Sequence, residues 1–261
     1  MKSFKNKSLL ITKNRQEAEK SLMGLIDAGM EIIYFPTIKI IPILDSPALN
    51  ETLSIFDEFD TLIFTSANAV DIFNNIAEER QIELSKVKIA AIGKSTEEKC
   101  KYYEINVDIL PDEFSAKGLI EKLSKTDLID KKVLIPGSSL SRNDLEKSLE
   151  KLGAQVTCTP IYDVILNDKD NLHDEIKKVG RKHLDIFAFT SPSSFENFIE
   201  IMNVNDVNEY FDKSTICAIG TTTEEAIRKQ GLTVNIVPQV FSLQGIADAI
   251  KKYFLITANM V

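Results

Sequence analysis

Cysteine and histidine are scarce in this chain of 261 residues. The three cysteines, Cys100, Cys158 and Cys217, are scattered, and the two histidines are His173 and His183. An odd cysteine count without any C-x-x-C spacing argues against a disulfide framework, and neither histidine lies near a cysteine as a zinc site would require. We therefore expect no metal site and no Ser-His-Asp or Cys-His catalytic set.

Long apolar runs are also missing. No stretch approaches about 18 consecutive apolar residues, so we expect no membrane partner. The lysine-rich N-terminus runs directly into the apolar segment that begins at Leu9, without the long apolar stretch and cleavage site of a secretory signal. This predicts a cytoplasmic protein. The net charge of −8 argues against a nucleic-acid partner but still allows a locally positive site for a small anion.

The same pattern occurs twice along the chain. Gly29, which ends a helical pattern, and Pro36, which ends the next apolar run, recur as Gly153 and Pro160 at an offset of 124 residues. Further along, the offset is 125 to 127 residues, through matching segments that begin at Phe59 and Leu184, Ile89 and Ile216, Asp108 and Asn235, and Phe114 and Phe241. A repeat of this length indicates a duplicated unit of domain size, because solenoid repeats are shorter.

Within each copy, short apolar runs alternate with helical patterns. Continuous apolar runs such as residues 186–189 are typical of strands buried on both faces of a parallel sheet. The alternation predicts an α/β fold, with about five strands and helices on both sides of the sheet in each copy.

Polar residues at the predicted strand ends are the candidate binding residues, because ligands of open parallel sheets bind beyond the carboxyl ends of the strands. Hydroxyls, glycines and free N–H groups at the helix starts that follow could bind an anion. The alternative is that these serines and threonines only cap helices. The candidates are Thr12, Lys13, Arg15, Thr65, Ser66, Gly93, Ser138, Arg142, Thr190, Ser191, Ser193, Gly220, Thr222 and Thr223.

Known nucleotide motifs do not account for these loops. Gly93-Lys94-Ser95 is similar to the end of a Walker A loop, but the required glycine five residues earlier is Lys88. No G-x-G-x-x-G follows a predicted strand. The residues alone therefore predict a soluble two-domain α/β protein that binds a small anionic molecule.

Several short motifs, in this order and spacing, resemble the uroporphyrinogen-III synthase family. They are Thr65-Ser66, Ala91-Ile92-Gly93, Pro160-Ile161-Tyr162, Thr190-Ser191, Ala218-Ile219-Gly220 and Gly231-Leu232. The resemblance covers residues 9–254. It implies two similar three-layer α/β/α domains with parallel sheets, an interleaved chain path and a two-stranded linker. One domain would comprise residues 1–38 and 166–261, and the other residues 39–165. The linker strands would follow Pro36 and Pro160, and residues 255–261 are expected to form a lightly packed tail.

The resemblance also implies the reaction. The family cyclises the linear tetrapyrrole hydroxymethylbilane to uroporphyrinogen III, losing water and inverting the last pyrrole ring through a spiro intermediate, without a metal or organic cofactor. Tyr162 matches a tyrosine of the family and is the candidate proton donor to the departing hydroxyl; the alternative is a packing role in the linker. The substrate would come from the preceding pathway enzyme, and we expect a monomer.

Two departures from the family's pattern concern the charge of the loops. Glu97 follows Thr96 and Glu224 follows Thr223, where the family often has alanine. An acidic side chain there disfavours binding of a polyanionic substrate, unless the side chain points away along its helix. The first loop has Lys13 where an arginine is common. The alternative function is a non-catalytic two-lobed module that binds or senses an anion. An α/β enzyme of phosphosugar type is disfavoured, because it would show a glycine-rich phosphate loop or an acid/base histidine in a strand-end loop, and the sequence has neither.

Overall fold

The computed structural model describes residues 4–141, 144–181 and 183–257. The strands in these ranges are β1 (Ser8–Ile11), β2 (Glu31–Tyr34), β3 (Ile38–Pro42), β4 (Thr61–Phe64), β5 (Lys88–Ala91), β6 (Lys132–Ser138), β7 (Gln155–Leu166), β8 (Ile186–Phe189) and β9 (Thr215–Ala218). The helices are α1 (Arg15–Ile26), α2 (Pro47–Ser54), α3 (Ala67–Arg80), α4 (Lys94–Tyr102), α5 (Ala116–Leu123), α6 (Asp144–Lys151), α7 (His173–Arg181), α8 (Pro192–Met202), α9 (Val207–Phe211), α10 (Thr221–Lys229) and α11 (Leu243–Thr257).

The chain divides into two compact units. The discontinuous unit consists of Met1–Lys39 and Leu166–Val261, and the continuous unit is Ile40–Ile165. Their sheets have the strand orders β2-β1-β8-β9 and β3-β7-β6-β4-β5. The sequence repeat matches β1 with β6, β2 with β7, β8 with β4 and β9 with β5. Each sheet therefore combines the first half of one copy with the second half of the other.

The discontinuous unit has three layers because its strands are apolar on both faces. In β8, Phe187 and Phe189 face one core, which α8 and α10 cover, while Ile186 and Ala188 face the core under α1 and α11. All strand pairs of this sheet are parallel. The predicted α/β class with parallel sheets is confirmed.

The continuous unit repeats this arrangement. In β4, Leu62 and Phe64 pack on the side of α3, and Ile63 packs on the side of α5 and α6. The segments predicted as linker strands, β3 and the end of β7, are neighbours at one edge of this sheet. Pro160 lies inside β7 and does not end it. The ladder to β6 shifts register next to Gly137, the partner of Pro160, so a residue without an N–H is accommodated there.

Among the described residues, the first copy contains the expected five strands, β1 to β5, and the second contains four, β6 to β9. Next to β9 and β5, a short segment of each unit forms only a single parallel bridge, Cys217 to Ile236 in one and Ala90 to Ile109 in the other. Each of these short segments reaches a proline two residues later, at Pro238 or Pro111, and proline cannot donate a ladder hydrogen bond. The discontinuous sheet consequently has four strands, and the continuous sheet gains its fifth from β3.

An aspartate at the same place in both copies joins neighbouring strands. Asp185 Oδ2, just before β8, accepts the N–H of Ser8 at 2.9 Å. Asp60 Oδ2, just before β4, accepts the N–H of Lys132 at 2.9 Å. Burial opposes ionisation of Asp185, but hydrogen bonds from Lys7 and Ser8 hold the pKa of this carboxyl below its usual value. The carboxylate thus fixes the start of β1 against β8.

The C-terminal helix extends into the predicted tail. α11 continues to Thr257, and residues 258–261, the rest of that tail, lie outside the described residues. In the part of the chain that the structure describes, no helix is long and apolar enough to cross a membrane.

Candidate active site

A buried hydroxyl network joins the ends of β1 and β8 in the discontinuous unit. Thr12 Oγ1 lies 3.0 Å from Ser194 Oγ and 3.2 Å from Thr190 Oγ1. It also accepts the N–H of Thr190 at 3.0 Å. Thr12 is only 4% exposed, so its hydroxyl is used within the protein. The structure therefore brings the predicted Thr12 and Thr190 together, and Thr12 acts to hold the two loops in place.

The start of α8 presents a different set of hydroxyls. Ser191 caps the helix by accepting the N–H of Ser194 at 3.0 Å, in a reciprocal capping box. Ser193, one residue earlier than Ser194, is exposed, and its Oγ lies 3.1 Å from that of Ser191. Ser193 is thus available at the carboxyl edge of the sheet with its hydroxyl and its N–H, whereas Pro192 has no N–H and the N–H groups of Ser194 and Phe195 donate to Ser191.

After β9, too, one threonine at the start of the helix is exposed and the next is buried. Gly220 is the N-cap of α10 and supplies no side chain there. Thr222 is exposed in the first helical turn, whereas Thr223 is 2% exposed. Glu224 points along the helix, because Arg228 Nη2 lies 2.9 Å from its carboxylate. The acid that follows the threonines is therefore neutralised within α10.

The two cationic side chains predicted as binding residues after β1 form ion pairs with glutamates of α1. Lys13 Nζ lies 2.6 Å from the Glu17 carboxylate, and Arg15 Nε lies 3.5 Å from that of Glu19. The Arg15 guanidinium also lies over the ring of Tyr34 at 5.4 Å. Because both ion pairs are partly exposed, each contributes little to stability and can exchange for a ligand carboxylate.

In the continuous unit, Tyr162 lies beside the start of α3. Its Oη is 3.1 Å from Ser66 Oγ, and Ser66 Oγ accepts the N–H of Ala69 at 3.1 Å as the cap of α3. Tyr162 is 6% exposed and its ring belongs to the core on the α3 side of the sheet. The predicted donor is therefore a buried residue of β7, with its hydroxyl held near the positive end of a helix.

The loop after β5 matches the one after β9. Gly93 is the N-cap of α4 with a φ of 94°, a conformation that favours glycine. Thr96, three residues later, is 1% exposed. Glu97 again points along its helix, with Lys101 Nζ 2.9 Å from its carboxylate. Both copies thus direct the acid away from the start of the helix.

A pocket of about 680 Å³ lies at the ends of β4 and β6, beside the interior of β7, within the continuous unit. Thr65, which is exposed, and Ser138 line it together. Sequence reasoning did not identify two further lining residues, Cys158 and Glu146. Partial burial and the nearby Glu146 carboxylate raise the pKa of the Cys158 thiol to about 11. Arg142, a predicted binding residue, lies outside the described residues.

Within residues 4–141, 144–181 and 183–257, no group of three or more histidine, cysteine, aspartate or glutamate side chains could hold a metal ion. The candidate residues described above offer hydroxyls, backbone N–H groups, two cations and one buried phenol.

These features define a class of protein. Two α/β units whose sheets consist mainly of parallel strands, each with exposed hydroxyls and helix starts at the carboxyl edge of its sheet, are typical of a protein that binds a small anionic molecule. The family model described as uroporphyrinogen-III synthase HemD matches residues 21–248. The chain belongs to the uroporphyrinogen-III synthase family.

Individual relatives agree with this assignment. The uroporphyrinogen-III synthase of Chlorobaculum parvum is 28% identical over 253 residues, which cover 94% of this chain and 98% of that protein. The one of Synechococcus elongatus is 26% identical over 253 residues, covering 95% of each. The crystal structure of the Helicobacter pylori uroporphyrinogen-III synthetase aligns with a TM-score of 0.62 at 18% identity, over 94% of this chain and 99% of that one. This last similarity shows the shared fold. Together the relatives favour the enzyme over a non-catalytic anion-binding module.

Proposed function

We infer that this chain cyclises hydroxymethylbilane to uroporphyrinogen III, with loss of water and inversion of the last pyrrole ring. The observation that carries this inference is the family match over residues 21–248. The loops at the carboxyl edges of both sheets support it, because they offer uncharged donors suited to a polycarboxylate.

The reaction is mainly a problem of positioning. Hydroxymethylbilane closes without help, but the last ring is then not inverted. The enzyme must therefore hold the open chain so that the inverting closure has the lower barrier. Rigid loops serve this purpose, and the buried network around Thr12 and Ser194 fixes the loops after β1 and β8.

The outward-facing residues at the helix starts are the proposed carboxylate ligands. Thr65 precedes α3, Ser193 lies in the first turn of α8, and Thr222 lies in that of α10. At each place the hydroxyl is exposed next to N–H groups that have no partner within the helix. Gly93, an N-cap without a side chain, leaves room for a carboxylate to approach the backbone. At Gly220 the ring of Phe241 occupies that space, so the N–H groups of the first turn of α10 are the proposed donors there.

We assign Tyr162 the role of proton donor to the departing hydroxyl. The C–O bond of the hydroxymethyl group breaks, the phenol proton goes to the leaving oxygen, and water is released. Ser66 Oγ already accepts the N–H of Ala69, so its own hydrogen can be donated to Tyr162 Oη. With Ser66 as the donor, the phenol proton stays free for transfer to the leaving oxygen, and the hydrogen bond stabilises the phenolate that forms.

The same proposal places the protein in the cytoplasm as a monomer that receives hydroxymethylbilane from the enzyme that makes it. Size-exclusion chromatography with light scattering measures the mass against the 29.3 kDa of one chain. A mass near 58 kDa, about twice that of one chain, would overturn the monomer assignment.

The function is tested with freshly prepared hydroxymethylbilane. Purified protein is incubated with it, and the products are oxidised to porphyrins and separated by chromatography into type I and type III isomers. We expect type III to dominate and to form faster than type I forms without enzyme. Type I alone, at the uncatalysed rate, would reject the proposed function.

A further inference from the structure

Two phenylalanine rings are exposed at equivalent places in the repeat. Phe241 is 59% exposed and Phe114 is 51% exposed. Phe241 precedes Ser242, whose Oγ caps α11 by accepting the N–H of Gly245 at 3.0 Å. An apolar residue at that position usually packs on the fourth residue of the helix, here the fully buried Ile246. A ring that is more than half exposed gains little from such packing, so helix capping does not explain it.

The backbone holds Phe241 outward by a specific turn. The N–H of Ser242 donates to the carbonyl oxygen of Val240 at 2.8 Å, which places Phe241 at the centre of a three-residue turn. The same carbonyl oxygen lies only 2.0 Å from the position that a Cβ on Gly245 would occupy. The corresponding distances around Phe114 are 2.7 Å and 2.2 Å. The fold therefore builds the same turn twice, each time with an exposed phenylalanine at its centre.

Phe241 lies at the carboxyl edge of its sheet, where the candidate site is. The chain runs parallel to β9 at Ile236 and then leaves the sheet in the same direction as β9 does. The ring of Phe241 packs on Gly220, since a Cβ on that glycine would lie 3.2 Å from the ring. Gly220 caps α10, and the exposed Thr222 is two residues further on. An exposed aromatic face thus adjoins a helix start.

We propose that Phe241 contacts a pyrrole ring of the tetrapyrrole, while the first N–H groups of α10 and Thr222 bind a carboxylate arm of that same ring. This inference rests on the proposed function. A pyrrole ring is planar with an electron-rich face and carries acidic arms at its edge. An aromatic ring beside helix N–H groups matches both parts of that ligand at once.

Kinetics with hydroxymethylbilane provide the first test. Phe241→Ala is expected to raise KM about five- to tenfold with little change in kcat, because aromatic contacts contribute at most about a factor of ten in binding. Phe241→Tyr retains the ring and is expected to restore the wild-type KM. Val240→Ala is the matched control, since Val240 is 67% exposed on the same turn, and its KM is expected to stay unchanged.

A binding measurement independent of turnover provides the second test. The chain has no tryptophan, so Phe241→Trp introduces a unique fluorophore. Uroporphyrinogen III is expected to protect it from quenching by acrylamide. Tyr102→Trp, at a residue that is 75% exposed at the end of α4, is expected to show no protection.

The outcomes separate the two proposals. If the wild-type protein forms no type III isomer, the proposed function fails. If the wild-type protein is active but Phe241→Ala keeps the wild-type KM, or the tryptophan of Phe241→Trp is not protected, the role of Phe241 is overturned. An equal rise of KM in Val240→Ala would also overturn it, because the effect would then come from the turn and not from the ring.

Discussion

At the scale of single residues, the structure divides the predicted hydroxyls into two groups. Thr12 and Thr223 are buried, whereas Thr65, Ser193 and Thr222 are exposed. The sequence could place all of them at strand ends from the apolar runs that precede them. It could not separate the groups, because neighbouring residues of a first helical turn point in different directions, and their burial depends on distant contacts. Thr12, for example, bonds to residues about 180 positions away.

Tyr162 gives the most direct prediction at this scale. Tyr162→Phe removes the proposed proton donor while the ring stays in its core. We expect kcat for type III formation to fall about 100-fold, the lower end of the range for general acid catalysis. The lost hydrogen bond to Ser66 is expected to lower the free energy of unfolding by only about 1 kcal/mol. Steady-state assays and urea denaturation measure the two effects.

A second tyrosine supplies the control. Tyr210 packs against the core of the discontinuous unit, and burial raises the pKa of its hydroxyl to about 12. Tyr210→Phe makes the same chemical change away from the candidate site and is expected to leave kcat unchanged. Equal rates for Tyr162→Phe and the wild-type protein would remove Tyr162 from the mechanism.

Asp185 predicts a pH-dependent stability. Its pKa in the folded protein lies below the usual value, so the ionised carboxylate stabilises the fold at any pH above the unfolded pKa of about 3.9. This contribution is lost as the pH falls through the lower, folded pKa. We expect Asp185→Asn to reduce the free energy of unfolding by about 1–2 kcal/mol at pH 7, with the difference from wild type narrowing below about pH 4.

Urea denaturation of both proteins between about pH 3 and pH 7 measures this difference. Asp212→Asn is the control, because Asp212 is exposed, and its effect is expected to be small at every pH. A difference for Asp185→Asn that is the same at all pH values would show that lost packing, and not the charge, is responsible.

At the scale of elements, the apolar periodicity predicted the regular parts well and the irregular ones poorly. β4, β5, β8 and β9 lie where continuous apolar runs predicted buried strands. The apolar segments before Pro111 and Pro238 form only single bridges, because an apolar run indicates burial and does not by itself provide partners for a ladder. A linker strand was expected to follow Pro160, whereas β7 runs through this proline. The sequence could not show this, since the register shift that accommodates the proline depends on β6.

The turn around Phe241 predicts the effect of a small change in α11. In Gly245→Ala the new Cβ would meet the Val240 carbonyl oxygen at 2.0 Å, and backbone cannot move aside as a flexible side chain can. We expect the free energy of unfolding to fall by about 2–3 kcal/mol, as for other overpacked sites. Chemical denaturation measures it.

The control is a glycine with free space in another helix. Gly180 is exposed in α7, and a Cβ there would meet nothing within 4 Å. Gly180→Ala is expected to raise stability by about 0.5–1 kcal/mol through helix propensity. If both substitutions stabilise the protein, the close approach at Gly245 is relieved at no cost, and the turn is not as rigid as inferred.

At the scale of the whole molecule, the repeat and the units do not coincide. A cut between the sequence copies, near residue 130, would separate β1 and β2 from β8, and β4 from β6. Composition and periodicity give no sign of this exchange, because each copy contains a full set of strand patterns. The interleaved path was predicted only through the family resemblance, which carries information about chain tracing that local patterns do not.

The division of the chain leads to a test with fragments. Residues 38–166 contain all five strands of the continuous sheet and both of its apolar cores, so this fragment is expected to fold alone with a cooperative urea transition. Residues 1–130 form a fragment of similar length. This fragment lacks β6, which lies between β7 and β4 in the continuous sheet, and it also lacks β8 and β9 of the discontinuous sheet. That fragment is expected to show no cooperative transition. Far-UV circular dichroism during urea titration distinguishes the two, and a cooperative transition in the second fragment alone would mean that each sequence copy folds as its own domain.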